Sequence, residues 1–368
     1  MKKIKVLQIV GSLRSGGLET VAMNFIRYAD KEKYEIHFLT FQDEKEYYDD
    51  EVIRLNGKII KISSPQNGIC KFIKSLNKIL RENGPYDVVH SHTFYNSGIT
   101  LLIAKFNKVP IRIAHIHTKK EKRKIKNTKK IYNLIMRILI NLCSNKKCAC
   151  SFEAGCAAFG KKIFKAKGLV IKNCIDIDKY KFNIDFRKEK REELNILNDD
   201  ILIGNIGRLE DVKNQKFLIE MIKKIKSSKY KLAIVGEGTL YNELSKMIEE
   251  EKLNKRVFLL GNRKDVNELL SSFDVFVLPS KYEGFSIALL EAQANGLQCF
   301  ASKGRVPQEV KILENFMFVN LDKGTEIWKE SIIEKTNCKR IENATNILKS
   351  ENYDISNFKN YISILYEY

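Results

Sequence analysis

Two glutamates eight residues apart, Glu283 and Glu291, flank a segment able to hold an anion. Glu291 falls in the middle of Ile287-Ala288-Leu289-Leu290-Glu291-Ala292-Gln293-Ala294, a stretch that is apolar nearly all round. A carboxylate on such a helix needs partners, so it is expected to face a cleft or a ligand rather than bulk water. Upstream, Asp274-Val275-Phe276-Val277-Leu278 reads as a buried parallel strand, which Pro279 ends. Ser286 then reads as a helix N-cap and Gly296 as the stop, giving strand, loop and helix in succession. Behind Gly284, the free N–H groups from Phe285 to Ile287 make a site for phosphate. Carboxylates on both sides of an anion site suit a ligand with hydroxyls at its ends and phosphate in its middle. A nucleotide-sugar has that layout.

A second basic constellation precedes it. Ile201 to Ile206 reads as a strand, and Gly207-Arg208-Leu209-Glu210-Asp211-Val212-Lys213 follows before the next helix. Arg208 can fork onto phosphate oxygens and Lys213 can add a compact charge, so the pair suits a diphosphate. Four of the five histidines form two His-x-His pairs, His90 with His92 and His115 with His117, each ending a predicted strand. Metal binding by the four is conceivable, but no carboxylate accompanies them. Near the start, Gly11-Ser12-Leu13-Arg14-Ser15-Gly16-Gly17 is glycine-rich without matching either standard phosphate-loop spacing.

These residues are positioned by alternating strands and helices. Strands are expected at 4–10, 35–41, 58–62, 88–91 and 111–115, with helices at 18–29, 69–82 and 97–106 between them. Further strands are expected at 231–235, 257–260, 299–301 and 316–319. Such alternation implies a doubly wound parallel sheet, which takes ligands beyond the carboxyl ends of its strands. The 368 residues suffice for two domains, and no apolar run approaches eighteen residues, which argues against a membrane-spanning helix. No secretory leader is evident at Met1-Lys2-Lys3-Ile4-Lys5. Eight cysteines without a regular framework point to reduced thiols in a cytoplasmic protein.

Charge divides the chain. Of 65 basic and 45 acidic residues, 34 and 14 lie in residues 1–174, so the whole net charge of +20 belongs there. Lys119 to Lys130 carries eight basic residues against one acid and leads into an apolar run from Ile131 to Leu142. The run and the basic segment together suit an anionic membrane surface, or else a solvated loop before a core helix. Nucleic acid is not expected, because no recognisable binding motif accompanies the charge.

The segment from Pro279 to Gly296, with Glu283 and Glu291 spaced as Glu-x₇-Glu, resembles the retaining glycosyltransferases of family 4, as does Gly207-Arg208-Leu209 followed by Lys213. The resemblance covers essentially the whole chain, although Cys174 stands in Asn173-Cys174-Ile175-Asp176 where the family usually has Gly. It implies an α/β, GT-B fold: two doubly wound, Rossmann-like parallel-sheet domains facing a cleft. Residues 1–174 would bind the acceptor and 175–350 the nucleotide-sugar, with 351–368 a C-terminal helix crossing back. It also implies a retaining hexosyltransferase that moves a hexose or N-acetylhexosamine from a nucleotide-sugar, UDP favoured, in cell-surface polysaccharide synthesis. The acceptor would be a lipid-linked saccharide or oligosaccharide, no metal or other cofactor would be needed, and the enzyme would sit peripherally at the inner membrane face.

Residue by residue, the resemblance makes His117, Arg208, Lys213 and Glu283 catalytic. Donor contacts would come from Gly16 and Gly17 at the phosphates, Asn262 and Arg263 at the base, Gly284 to Ile287 at the diphosphate, and Glu291 at the ribose. His92, Tyr95 and Asn96 would face the acceptor. Other classes make different demands: a sugar-nucleotide epimerase of the same fold needs acid/base carboxylates in place of the Arg-Lys and Glu-x₇-Glu set. A non-catalytic, membrane-associated partner of a glycosyltransferase would have lost Arg208, Lys213 or Glu283, and all three are present.

Overall fold

The structure, a computed structural model, describes residues 2–14, 16–117, 127–336 and 339–367. The chain forms two units, Met1–Cys174 with Ser356–Tyr368, and Ile175–Ile355. Among the described residues, the first unit contains strands β1 (Ile4–Ile9), β2 (Tyr34–Thr40), β3 (Lys58–Lys61), β4 (Val88–Ser91), β5 (Ile111–Ile116), β6 (Lys146–Ala149) and β7 (Gly168–Val170). They pair in the order β3-β2-β1-β4-β5-β6-β7, every pairing parallel.

The second unit repeats the scheme with β8 (Ile201–Ile206), β9 (Tyr230–Val235), β10 (Val257–Leu259), β11 (Val275–Leu278), β12 (Gln298–Ser302) and β13 (Phe316–Val319). Their order is β10-β9-β8-β11-β12-β13, again parallel throughout. Helices cross over between parallel strands and cover both faces, so the central strands are buried runs: all four residues of β4 and of β11 are buried. In the second unit Trp328 and Phe300 are fully buried, with Leu218, Ile222 and Leu232 in the same core.

In both sheets the strand order reverses beside the first strand, between β1 and β4 and between β8 and β11. A crevice opens at such a reversal beyond the carboxyl ends, and the chemistry-bearing loops leave from those ends. The last helix, Phe358–Tyr366, follows a short 3₁₀ turn and belongs to the first unit. There Phe25 packs edge-on to Phe358 at 4.8 Å between ring centroids and lies 5.5 Å from Tyr366. The chain stays with the second unit through Ile355, five residues beyond the boundary expected at 350, because a parallel bridge joins Ile175 to Asp354.

Helices Ser97–Phe106 and Asn127–Cys143 touch backbone to backbone at Gly98, where a Cβ would lie 2.7 Å from the Met136 carbonyl oxygen. Gly98→Ala should therefore destabilise the first unit by about 1–3 kcal/mol. Urea unfolding followed by tryptophan-independent circular dichroism checks this, and an unchanged midpoint would refute it.

Candidate functional site

At the carboxyl end of β8, Gly207 leads to Arg208 and to the turn Asp211–Lys213. The neighbouring loop after β9 closes on it: a Cβ at Gly236 (φ +139°) would collide with the Gly207 carbonyl, so this approach requires glycine. The loop after β11 joins them through the Lys281 N–H, which donates to the Val212 carbonyl at 2.8 Å. This knitting brings together two sequence-predicted residues seventy positions apart. Lys213 Nζ donates to Glu283 Oε1 at 2.6 Å, and Ser280 Oγ donates to the same oxygen at 2.7 Å. Glu283 is buried, with 9% of its surface exposed, so the pair neutralises a charge that could not remain there alone. Lys213 keeps two N–H donors and Glu283 keeps Oε2 for a ligand. Arg208 is exposed, and its Nη1 donates to Glu210 Oε1 at 2.7 Å.

Ser286 caps the helix Ile287–Ala294 by accepting from the Leu289 N–H at 3.4 Å. The amides of Gly284, Phe285, Ser286 and Ile287 meet no acceptor among the described residues, leaving the helix dipole and four N–H groups for an anion. Phe285 stacks on Tyr353 at 5.9 Å between ring centroids, which ties the loop to the segment after helix Ala344–Ser350. One and a half turns on, burial pushes the Glu291 carboxyl up to about 7, against smaller opposing effects from a hydrogen bond with Tyr180 and the charge of Lys179. The loop after β10 carries Asn262, which is exposed, and Arg263. Expected at a base, the Arg263 guanidinium is instead committed to Asp265 at 2.8 and 2.6 Å and to Glu193 at 2.7 Å. Those carboxylates also hold Lys190, so Arg263 ties helix to loop.

In the first unit, Gly16 is the N-cap of helix Gly17–Tyr28 in extended conformation. Ser12 Oγ donates to Glu19 Oε1 at 2.9 Å, and a Cβ at Gly16 would collide with that same carboxylate. The clash is with the tip of a flexible side chain, so Glu19 could swing aside to admit a larger residue at 16. Tyr95 and Asn96 lie on the 3₁₀ turn Phe94–Asn96 after β4, where Asn96 Oδ1 accepts from Tyr132 OH at 2.7 Å.

The histidines form one buried layer. His92 differs from the expectation that it faces an acceptor: both its ring nitrogens are engaged, Nε2 with Gln8 Oε1 at 2.5 Å and Nδ1 with His117 Nε2 at 2.7 Å. Burial holds His90, His92 and His115 well below the ordinary histidine range and pushes His117 down to about 3, so all four are neutral at pH 7. Cys150 Sγ donates to the His117 carbonyl at 3.2 Å. His90, His92 and His115 bring ligand atoms within 4.8 Å of one another, but the group holds no carboxylate and its nitrogens are turned largely to one another, to Gln8 and to Tyr366. Gln8, Tyr180 and Tyr366 carried no local signal, since each acts through a partner far away in sequence, whereas Ser280 lies three residues before Glu283 inside the same segment and was passed over.

Glu291 generates a pH prediction. Its folded value near 7 lies above the ordinary 4.5, so the stability of the protonated form is complete below pH 4.5 and lost as pH rises through 7. Relative to Glu291→Gln, the wild type should lose about 3 kcal/mol between pH 4.5 and 8 in denaturant titrations. Parallel pH profiles for the two proteins would refute the assignment.

Comparison with known proteins identifies the family and the fold. Residues 15–179 match the family described as Glycosyltransferase Family 4, and residues 186–319 match Glycosyl transferases group 1. EpsF of Bacillus subtilis, named as a glycosyltransferase, is 31% identical over 332 residues, covering 89% of this chain and 86% of EpsF. An Escherichia coli UDP-Gal:alpha-D-GlcNAc-diphosphoundecaprenol alpha-1,3-galactosyltransferase is 27% identical over 82% of this chain and 79% of its own. Among solved structures, Anabaena HepE in complex with UDP superposes with a TM-score of 0.79 at 19% identity, covering 99% of both chains. The lipopolysaccharide glycosyltransferase WaaG gives 0.74 at 13% identity over 98% of this chain and 99% of its own, so the fold is GT-B. With two consecutive family matches and a 31% identical relative across most of its length, the chain belongs to the family 4 glycosyltransferases.

Proposed function

We propose that the enzyme transfers a hexose or N-acetylhexosamine from UDP, with retention at the anomeric carbon, to a lipid-linked saccharide in cell-surface polysaccharide synthesis. The observation that carries this reading is the Lys213–Glu283 pair beside a row of helix N-terminal amides that meet no protein acceptor among the described residues, with Glu291 on the same helix. A diphosphate at that row would be neutralised by Lys213, Arg208 and the N–H groups, which is where charge grows as the sugar leaves. Glu283 Oε2 would accept from sugar hydroxyls and Glu291 from the ribose. Neither then acts as a base, consistent with the acceptor hydroxyl attacking from the leaving-group side. His117 would lie at the transferred sugar, with Tyr95 and Asn96 toward the acceptor. The choice of UDP and of a lipid-linked acceptor is supported by the UDP-bound HepE fold and by the undecaprenol-linked substrate in the galactosyltransferase's name.

Calorimetry of UDP, GDP and ADP in EDTA tests the donor and the metal-free reading together. UDP alone should bind, Glu291→Ala should weaken it about 10–100-fold, and binding at pH 6 should release protons as the ribose hydroxyls favour the carboxylate. Equal binding by the variant, or binding only without EDTA, would overturn the respective part.

The membrane reading rests on helix Asn127–Cys143. Ile131, Leu134, Ile135, Ile138 and Leu142 are 48–67% exposed and recur at helical spacing, one apolar stripe facing outward. Of the preceding basic run, residues 119–126 lie outside the described residues; Lys130 is exposed. Among the described residues, no helix is long and apolar enough to cross a membrane. Anionic vesicles should therefore sediment the protein, neutral vesicles far less, and Leu134→Asp with Ile138→Asp should reduce sedimentation about tenfold. Sedimentation unchanged by this double substitution would assign the stripe to another partner.

A further inference from the structure

The histidine layer contains a complete chain of hydrogen bonds in which every proton can be placed. Gln8 on β1 donates from Nε2 to the Tyr366 hydroxyl at 2.5 Å, while its Oε1 faces His92 Nε2 at 2.5 Å. His92 Nδ1 in turn faces His117 Nε2 at 2.7 Å. On the other arm, the Tyr366 hydroxyl lies 3.0 Å from His90 Nδ1, and His90 Nε2 lies 3.3 Å from His115 Nδ1. All six side chains are buried, four of the six completely.

A neutral imidazole has one N–H and one bare nitrogen, so each ring must donate on one side and accept on the other. Gln8 Oε1 can only accept, and His92 therefore carries its proton on Nε2 and leaves Nδ1 bare. His117 must then donate from Nε2, which leaves its Nδ1 bare. On the second arm the Tyr366 oxygen receives the Gln8 amide hydrogen, and its own proton goes to His90 Nδ1. His90 donates from Nε2 to His115 Nδ1, and His115 keeps its proton on Nε2, a buried atom with no partner. All four rings thus carry the same tautomer. Turning the Gln8 amide over would reverse all four together, whereas any mixed arrangement sets two N–H groups or two lone pairs face to face.

We propose that Tyr366 and Gln8 are positioning residues that couple the four histidines into one shared tautomeric register, which in this Gln8 orientation presents a bare Nδ1 at His117. That nitrogen has no hydrogen-bond partner among the described residues, so it is where the chain ends and where a hydroxyl could donate. The consequence for transfer rests on His117 facing the sugar and acceptor; the register itself does not. Helix Phe358–Tyr366 thereby reaches His117 through side chains that need touch no ligand.

Histidine-selective nitrogen-15 labelling, read by long-range proton–nitrogen correlation on the whole chain without substrate, tests the register. The wild type should show all four histidines in one tautomer, with the proton on Nε2. Tyr366→Phe cuts Gln8 from His90, so His90 and His115 should no longer follow the tautomer of His92 and His117. Gln8→Met, which keeps the tyrosine, should part the two arms in the same way, and this arm serves if Tyr366→Phe does not fold. Introducing Gln8→Glu into the Tyr366→Phe protein supplies a carboxylate that only accepts, and should hold His92 and His117 on Nε2 whatever His90 and His115 do. Mixed tautomers in the wild type, or four rings still sharing one tautomer in both Tyr366→Phe and Gln8→Met, would overturn the coupling, and a wild type with all four protons on Nδ1 would overturn the bare Nδ1 at His117. If the register responds as described while His117→Ala leaves sugar transfer intact, the coupling stands and the role of His117 in transfer falls.

Discussion

A parallel strand cannot be followed by a tight hairpin, and this constraint shapes both units. Each connection must run back across a face of the sheet, so helices cover both faces and the central strands become continuous apolar runs such as Val275–Leu278. The same constraint sends every loop at the carboxyl end to one edge. Gly207 to Lys213, Gly236 to Gly238, Gly261 to Arg263 and Pro279 to Ser286 come from four strands and share that edge because the chain direction leaves them no other. The chemistry of the second unit is therefore a property of sheet polarity before it is a property of any one loop.

Burial at that edge then dictates pairing. Glu283 has almost no access to water, so the ammonium of Lys213 and the hydroxyl of Ser280 complete it, and the resulting pair is held ready rather than assembled around a ligand. Arg263 shows the opposite outcome from a similar position: with Asp265 and Glu193 in reach, its charge is spent on the scaffold. Deep in the first unit, where no charge accompanies the histidines, neutrality is the cheaper solution and each ring is satisfied largely by another ring. One constraint, that buried polar groups must be partnered, thus yields an ion pair, a structural network and a neutral relay in three settings.

Legibility in the sequence followed the range of the interactions. The strand ending at Leu278, the cap at Ser286 and the apolar helix around Glu291 are local, and each lies where its pattern puts it. The doubly wound order followed from strand and helix alternation, and the glycosyltransferase family from the Glu-x₇-Glu and Gly-Arg-Leu-x₃-Lys segments together. Arg263 read as a ligand residue because its loop position is right; only the packing of helix Ile184–Glu193 against that loop supplies the carboxylates that claim it. The family resemblance turns His92 toward the acceptor, and its place at the end of a strand says nothing of Gln8 lying 84 residues before it.

By itself, the sequence determined the alternation that makes the sheets parallel, the carboxyl-edge placement of Arg208, Lys213, Glu283 and Glu291, and the concentration of positive charge in the first 174 residues. These follow from side-chain periodicity, turn chemistry and composition, which act over a few residues. Tertiary structure alone decided that Lys213 and Glu283 touch, that Glu291 holds its proton to about 7, and that Tyr366 lies against Gln8 and His90 across the sheet. Desolvation and hydrogen-bond partnership depend on which distant segments close over a group, and no local pattern of residues specifies that.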